Sequence, residues 1–548
     1  MRVVQNGTDF NIARSLEWAA EAYPGEIGLV SRKKGGYQHW TFRELYENSD
    51  RYAAALHGEG IRPGQRVMLM VPPSMEFVCL TFALFKLGVV VILVDPGMGY
   101  KNLLRCIGGV RPDALVGIPK AQLFSRIFPG PFQTIRTRIC VGPSFGLLGR
   151  SLPQICRSKR HHADQFAADR DDLAAIIFTT GSTGPPKGVQ YTHGTFHAQL
   201  EIIREYYKIM PGDVDQPAFP LFALFSTALG AKAVIPEMDP ARPASVDPGK
   251  FIRTIVENNV TYSFGSPAIW NVVSRYCLAH NIVLPVKKVL MAGAPVPGNL
   301  IERVSRIMPE NGEIHTPYGA TESLPVCSIT GKEILSETWE QTRRGRGTCV
   351  GSPLPGLAVD IIRPVEGPVS SWDEVEVLPV GEIGEIVVQG AVVTRAYDNN
   401  DTENALAKIV NGETVRHRMG DMGYFDESGR LWFCGRKAHR VMAAHSVMYT
   451  IPCEAIFNEH PDVFRSALVG VGEQGSQVPV LIVELAEGAV SSEKLMDDLC
   501  ALARQNTLTE KIETFFVHPA FPVDIRHNAK IFREKLAAWA ADQIAEGG

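Results

Sequence analysis

The chain is 548 residues long, 45% hydrophobic and 21% charged, with a formal net charge of −4. These proportions are ordinary globular usage and exclude a disordered, collagen-like or coiled-coil chain, and the missing basic field excludes nucleic acid as the main partner. Roughly two to four structural units are expected at this length.

In chain order, Thr41 to Gly60 has helical spacing, with Leu45, Tyr52, Ala53 and Leu56 near one face. A strand at Arg66–Val71, a helix at Glu76–Leu87 and a strand at Val89–Val94 then form a strand–helix–strand unit, the mark of a parallel sheet covered by helices. The apolar run Leu87 to Val94 is too short to cross a bilayer, and Met1 to Leu16 has no apolar signal-peptide core. The pattern continues with strands at Leu173–Phe178, Val260–Gly265 and Val289–Ala292 and helices at His193–Tyr207, Phe251–Asn258 and Leu300–Ile307. After about residue 345 short strands dominate (Val359–Arg363, Glu382–Gln389, Gly423–Asp426, Leu431–Cys434), which predicts a β-rich subdomain. Beyond Cys434, helices from Glu454, at Ser492–Gln505 and at Ile531–Ile544 alternate with strands at Ser466–Gly472, Val478–Glu484 and Phe515–His518. The expected architecture is α/β: a large domain over residues 1–434 and a small, mobile α+β domain over 435–548. The ten cysteines form no C-x-x-C and read as reduced thiols of a cytoplasmic protein. The basic run from Arg157 to His162 reads as a solvated loop.

One segment concentrates chemistry. Thr179, Thr180, Gly181, Ser182, Thr183, Gly184 and Lys187 follow the apolar strand that ends at Phe178. Hydroxyls, backbone N–H groups, glycines and one lysine in a short loop suit a polyphosphate. Lys187 is followed by Gly188, so this is not a Walker A loop. Tyr318-Gly319-Ala320-Thr321-Glu322 combines a ring able to stack on a base with oxygen ligands for phosphate and Mg²⁺. Gly293-Ala294-Pro295, Gly420-Asp421 and Gly435-Arg436 are weaker signals singly; a carboxylate and an arginine can share the hydroxyls of a ribose.

In this order, with Thr41-Phe42-Arg43-Glu44-Leu45, Gly381 to Glu385 and Lys530 beside them, the elements resemble the adenylate-forming superfamily of acyl-CoA synthetases, peptide-synthetase adenylation domains and luciferases. The resemblance covers nearly the whole chain. It implies that Thr179 to Lys187 holds the phosphates of ATP, that Gly293, Ala294, Pro295 and Tyr318 bound the adenine, that Gly319 belongs to the nucleotide site, and that Thr321 and Glu322 serve phosphate and Mg²⁺. It also implies ribose contacts from Asp421 and Arg436. Lys530, with Glu322 and Thr179, would act in the adenylation step.

Three departures from the CoA-ligating branch stand out. Phe219 to Ser226 holds no histidine gate, Ala438 replaces the usual hinge residue, and Met442-Ala443-Ala444-His445-Ser446-Val447 lacks the paired glycines of a pantetheine tunnel. Runs such as His417-Arg418-Met419-Gly420-Asp421 and Leu431 to Lys437 instead resemble the β-lactone synthetases of bacterial long-chain olefin biosynthesis. That resemblance implies a long-chain 2-alkyl-3-hydroxy acid as substrate, activated as acyl-AMP and closed on its own 3-hydroxyl. It further implies association with a lactone decarboxylase and a thiolase-like enzyme. A long-chain fatty acid–CoA ligase or fatty acyl-AMP ligase is the alternative. His439 and His445 are candidate bases for ring closure, and Phe222, Phe225, Phe264, Trp270 and Leu324 are candidates for an acyl pocket.

Overall fold

The computed structural model describes residues 9–94, 96–158, 163–179, 185–219, 221–523 and 530–547. Thr180, Gly181, Ser182, Thr183 and Gly184 of the phosphate-binding candidate, the basic residues 159–162 and the segment before Lys530 lie outside the described residues.

The fold is α/β, as expected. A seven-stranded sheet runs in the order Arg150–Ser151, Thr137–Cys140, Ala114–Gly117, Arg66–Met70, Val90–Leu93, Leu173–Phe178 and Gly188–Thr192. Its pairs are parallel except the last, where Gly188–Thr192 turns back on Leu173–Phe178. The helix Met75–Lys86 is buried from Phe77 onward, which explains its nearly unbroken apolar sequence. Helix Phe42–Gly58 begins at a reciprocal cap: Glu44 N–H donates to the Thr41 hydroxyl and Thr41 N–H to the Glu44 carboxylate.

A second sheet of fourteen strands carries a parallel stretch, Ile27–Lys33, Lys232–Val234, Val214–Asp215, Tyr262–Gly265, Lys288–Met291 and Glu313–Ala320. It continues antiparallel through Ser323–Thr330 and Thr348–Pro353 into the β-rich region, Leu431–Arg436, Thr414–Phe425, Gly384–Gln389 and Ala358–Ile362. The strand at Thr414–Phe425 is much longer than the four residues legible from alternation, because His417 and Arg418 are buried within it.

Past these strands, a third sheet of Val463–Val471, Val478–Leu485 and Thr514–Val517 packs with helices Thr450–Phe457, Glu493–Arg504 and Arg533–Gly547 around its own apolar clusters. All ten cysteines are free thiols, eight of them buried. Among the described residues, no helix is long and apolar enough to cross a membrane.

Candidate active site

The phosphate-binding candidate leaves the sheet at Phe178 and returns at Gly188. Its neck is closed twice: Thr179 N–H donates to the Lys187 carbonyl at 3.0 Å and Lys187 N–H to the Thr179 hydroxyl at 3.1 Å. The Lys187 ammonium reaches Glu403 at 2.5 Å and lies 5.1 Å from the centre of the Tyr397 ring.

Thr321 and Glu322 form the tip of a hairpin whose arms are Glu313–Ala320 and Ser323–Thr330, with Ala320 opposite Ser323. Gly319 is required there: a Cβ would stand 2.7 Å from the Ser323 carbonyl oxygen. Tyr191 O–H donates to the Thr321 carbonyl at 2.5 Å.

Glu322 is buried, and its Oε1 accepts from the Tyr397 phenol at 2.7 Å. Burial first, and the Glu322 charge second, hold Tyr397 in its neutral, donating form. Thr394 fixes the Glu322 backbone, donating to its carbonyl through both N–H (2.9 Å) and hydroxyl (3.0 Å). Lys408 in turn donates to the Thr394 carbonyl at 2.5 Å and lies 5.6 Å from the Tyr397 ring centre. Burial pushes the Lys408 ammonium down to about 7, with Glu322 partly offsetting the shift. Glu322 Oε2 accepts no hydrogen bond among the described residues, which leaves a hard oxygen donor beside the loop neck. No group of three or more metal-ligating side chains occurs among the described residues. The free Glu322 oxygen has the donor chemistry that Mg²⁺ takes from a carboxylate beside substrate phosphates.

The second half of the site is the pair Asp421 and Arg436. They stand directly opposite each other in neighbouring strands. Arg436 donates to Asp421 Oδ1 at 2.8 Å and Tyr318 O–H to Oδ2 at 2.6 Å. Burial, then the Asp421 charge, raise the Tyr318 phenol well above its ordinary value, so it stays a donor. The Tyr318 ring faces Phe433 at 6.2 Å between centroids, tilted by 40°. Gly293 opens the Gly293-Ala294-Pro295 turn with φ +98°, just after the strand Lys288–Met291.

Lys530 lies one residue before Ile531, which bridges to Val523. The loop that departs from the CoA-ligating pattern is a hairpin, Val441–Ala443 against Ser446–Met448, with Ala444 and His445 exposed at its tip. His439 is pushed down to about 3 by burial and by Arg533 and Arg436, so it is a weak proton acceptor here.

Of the acyl-pocket candidates, Trp270 is fully buried and packs against Phe251, placing it in the core. Phe222 stacks on Phe264 at 3.7 Å and meets Phe225 at 5.7 Å, so an aromatic stack fills the stretch that lacks a histidine. Sequence reading missed Tyr397, Thr394 and Lys408. The one signal was a lysine followed by Ile409 and Val410.

The Thr179–Lys187 neck, the Glu322 hairpin tip and the opposed Asp421–Arg436 pair stand on one α/β scaffold. The chain belongs to the AMP-binding enzyme family, whose model matches residues 16–398, and so to the ATP-dependent adenylate-forming ligases. It is 46% identical to an olefin beta-lactone synthetase of Stenotrophomonas maltophilia, covering 97% of this chain and 98% of that one. It is 44% identical to an olefin beta-lactone synthetase of Xanthomonas campestris over the same shares. The solved o-succinylbenzoate coenzyme A synthetase of Bacillus subtilis, in complex with ATP and magnesium, shares the fold. Its TM-score is 0.75 at 21% identity, over 95% of this chain and 98% of that one.

Proposed function

We propose that the protein couples acyl adenylation to an intramolecular ring closure. The carboxylate of a long-chain 2-alkyl-3-hydroxy acid attacks the α-phosphorus of ATP, and pyrophosphate leaves. The acid's own 3-hydroxyl oxygen then attacks the activated carbonyl carbon, the bond to AMP breaks, and a β-lactone is released with loss of the hydroxyl proton. The nucleophile is tethered to its target, so its effective concentration is high and no protein nucleophile is required. The reading is carried by the near-full-length likeness to two olefin beta-lactone synthetases. The exposed, glycine-free hairpin at Ala444-His445 and the aromatic stack at Phe222 support it, since both lie in stretches that depart from the CoA-ligating pattern.

In this proposal Thr179 to Lys187 cradle the phosphates. Gly293 to Pro295 and the Tyr318 ring flank the adenine, and Asp421 with Arg436 takes the ribose hydroxyls by exchanging their mutual contact for the ligand. Glu322 Oε2 would hold Mg²⁺, with Thr321 beside it at the phosphates. The ion, when bound, offsets the negative charge of the phosphates. Lys530 stabilises the charge of the adenylation transition state after residues 435–548 close over the large domain. A lactone decarboxylase and a thiolase-like condensing enzyme would flank this reaction.

The test is product analysis by mass spectrometry with ATP and Mg²⁺, with and without CoA, using a 2-alkyl-3-hydroxy acid and a plain fatty acid. Lactone at the same rate with or without CoA, and stalling of the plain acid as bound acyl-AMP, are expected. Multiple turnovers of acyl-CoA from the plain acid would replace the lactone reading with the CoA-ligase one.

A further inference from the structure

The basic run near Arg157 is the end of a longer asymmetry. From Ala114 through Ser158 the chain contains no Asp or Glu, against six Lys or Arg, in a protein whose net charge is −4. These residues build the outer edge of the seven-stranded sheet, its strands Ala114–Gly117, Thr137–Cys140 and Arg150–Ser151, on the side away from the phosphate-binding candidate.

Lys120, Arg126, Arg136, Arg150 and Arg157 are all exposed. Among the described residues, the only carboxylate ion-paired to a cation of this segment is Glu59, 3.1 Å from Arg150. Burial first, and the nearby Arg126 charge second, weaken the hold of Arg138 on its proton.

The same edge exposes apolar side chains. Phe145 is 79% and Leu147 74% exposed, in the loop that joins the two outermost strands. Leu123, Ile127 and Phe128 are exposed on and just after the helix Pro119–Ile127. Phe145 shares a shallow groove with Arg150 and Gln154, and Arg157 follows one helical turn after Gln154.

We propose that this edge is a docking surface for an anionic lipid bilayer. A lipid surface satisfies both features at once: the aromatic and aliphatic side chains enter below the headgroups while the arginines stand at phosphate level. A nucleic acid would take the charge but leave Phe145 and Leu147 in water. The inference is independent of the lactone reading, since none of these residues belongs to the nucleotide site.

The experiment is vesicle flotation of the full chain at low and high salt. One set of vesicles is phosphatidylcholine alone, and the other contains about one-third phosphatidylglycerol. The expected result is capture by the phosphatidylglycerol vesicles that falls about tenfold at high salt and about tenfold in the double variant Phe145→Ser, Leu147→Ser. The melting temperature and pyrophosphate release of that variant should match wild type. A second variant, Arg126→Gln with Arg157→Gln, should lower capture and flatten the salt dependence. Capture by neither vesicle overturns the proposal, as does equal capture of wild type and the apolar variant. Retention on heparin or single-stranded DNA without vesicle capture also overturns it and assigns the edge to a soluble polyanion.

Discussion

The phenol of Tyr397 donates to Glu322 Oε1 at 2.7 Å, and the Tyr397 backbone bridges Val189, two residues past the phosphate-binding candidate. One residue therefore reports the position of the loop to the carboxylate at the hairpin tip. Its ring has an ammonium 5.1 Å away at Lys187 and another 5.6 Å away at Lys408. Tyr397→Phe removes the hydrogen bond and keeps the ring. A hydrogen bond to a charged group is worth about 1.5–3 kcal/mol, so ATP-dependent pyrophosphate release should fall about ten- to a hundredfold with a near-normal melt. Wild-type turnover in the variant would show that Glu322 needs no such orientation. Glu322→Ala should abolish release altogether.

Asp421 accepts from both Arg436 and Tyr318. In Asp421→Asn the guanidinium loses its countercharge and the amide can serve only part of the former acceptor set. Calorimetric titration with ATP should show binding weakened about a hundredfold. Tyr318→Phe, which leaves the Arg436 contact alone, should weaken it less. Equal affinities for the Asp421 variant and wild type would remove this pair from the nucleotide site.

His193 and His417 are among the histidines that burial holds neutral. His193 accepts the Ile12 N–H at Nδ1 (3.1 Å), and burial with the nearby His197 pushes it down to about 4. His417 is pushed well below its ordinary value, by burial first and then by Lys408. Both folded values lie below the unfolded one of about 6.5, so below that pH the unfolded chain takes up protons that the folded chain refuses. The contribution of these two histidines is full above about pH 6.5 and falls as pH drops toward 4, by at most about 3 kcal/mol per pH unit for the two groups. Denaturant unfolding at pH 7, 6 and 5 would show the slope, and His193→Gln should reduce it by up to about 1.4 kcal/mol per pH unit, since a glutamine does not titrate there.

The proposed mechanism gives Lys530 a role in the adenylation step. If the small domain swings it in for the first step only, Lys530→Ala should lose adenylation by about a thousandfold yet still turn preformed acyl-AMP into lactone. A variant equally inert with acyl-AMP would give Lys530 a role in ring closure as well.

The parallel sheets were legible because short apolar strands alternate with longer helical segments, as at Arg66–Met70, Met75–Lys86 and Val90–Leu93. The Asp421–Arg436 pairing was legible only as two separate weak motifs. Their spacing becomes meaningful once Thr414–Phe425 and Leu431–Arg436 are known to be antiparallel neighbours. The Glu322 support was not legible, because Thr394, Tyr397 and Lys408 reach it through tertiary contacts from another segment. Likewise the salt bridge of Arg66 to Asp398, with both contacts at 2.8 Å, joins residues that no local pattern connects.

The strand Ile27–Lys33 takes its parallel partner from Lys232–Val234, with Leu29 opposite Ala233 and Val30 opposite Val234. On a ribosome adding about 5–20 residues each second, that partner arrives on the order of 10–40 s after the strand itself. The seven-stranded sheet needs nothing beyond Thr192 for its strands and is complete earlier. The nascent chain therefore carries Val30, whose buried cluster is built mainly from residues 214 onward, unsheltered past a finished neighbour.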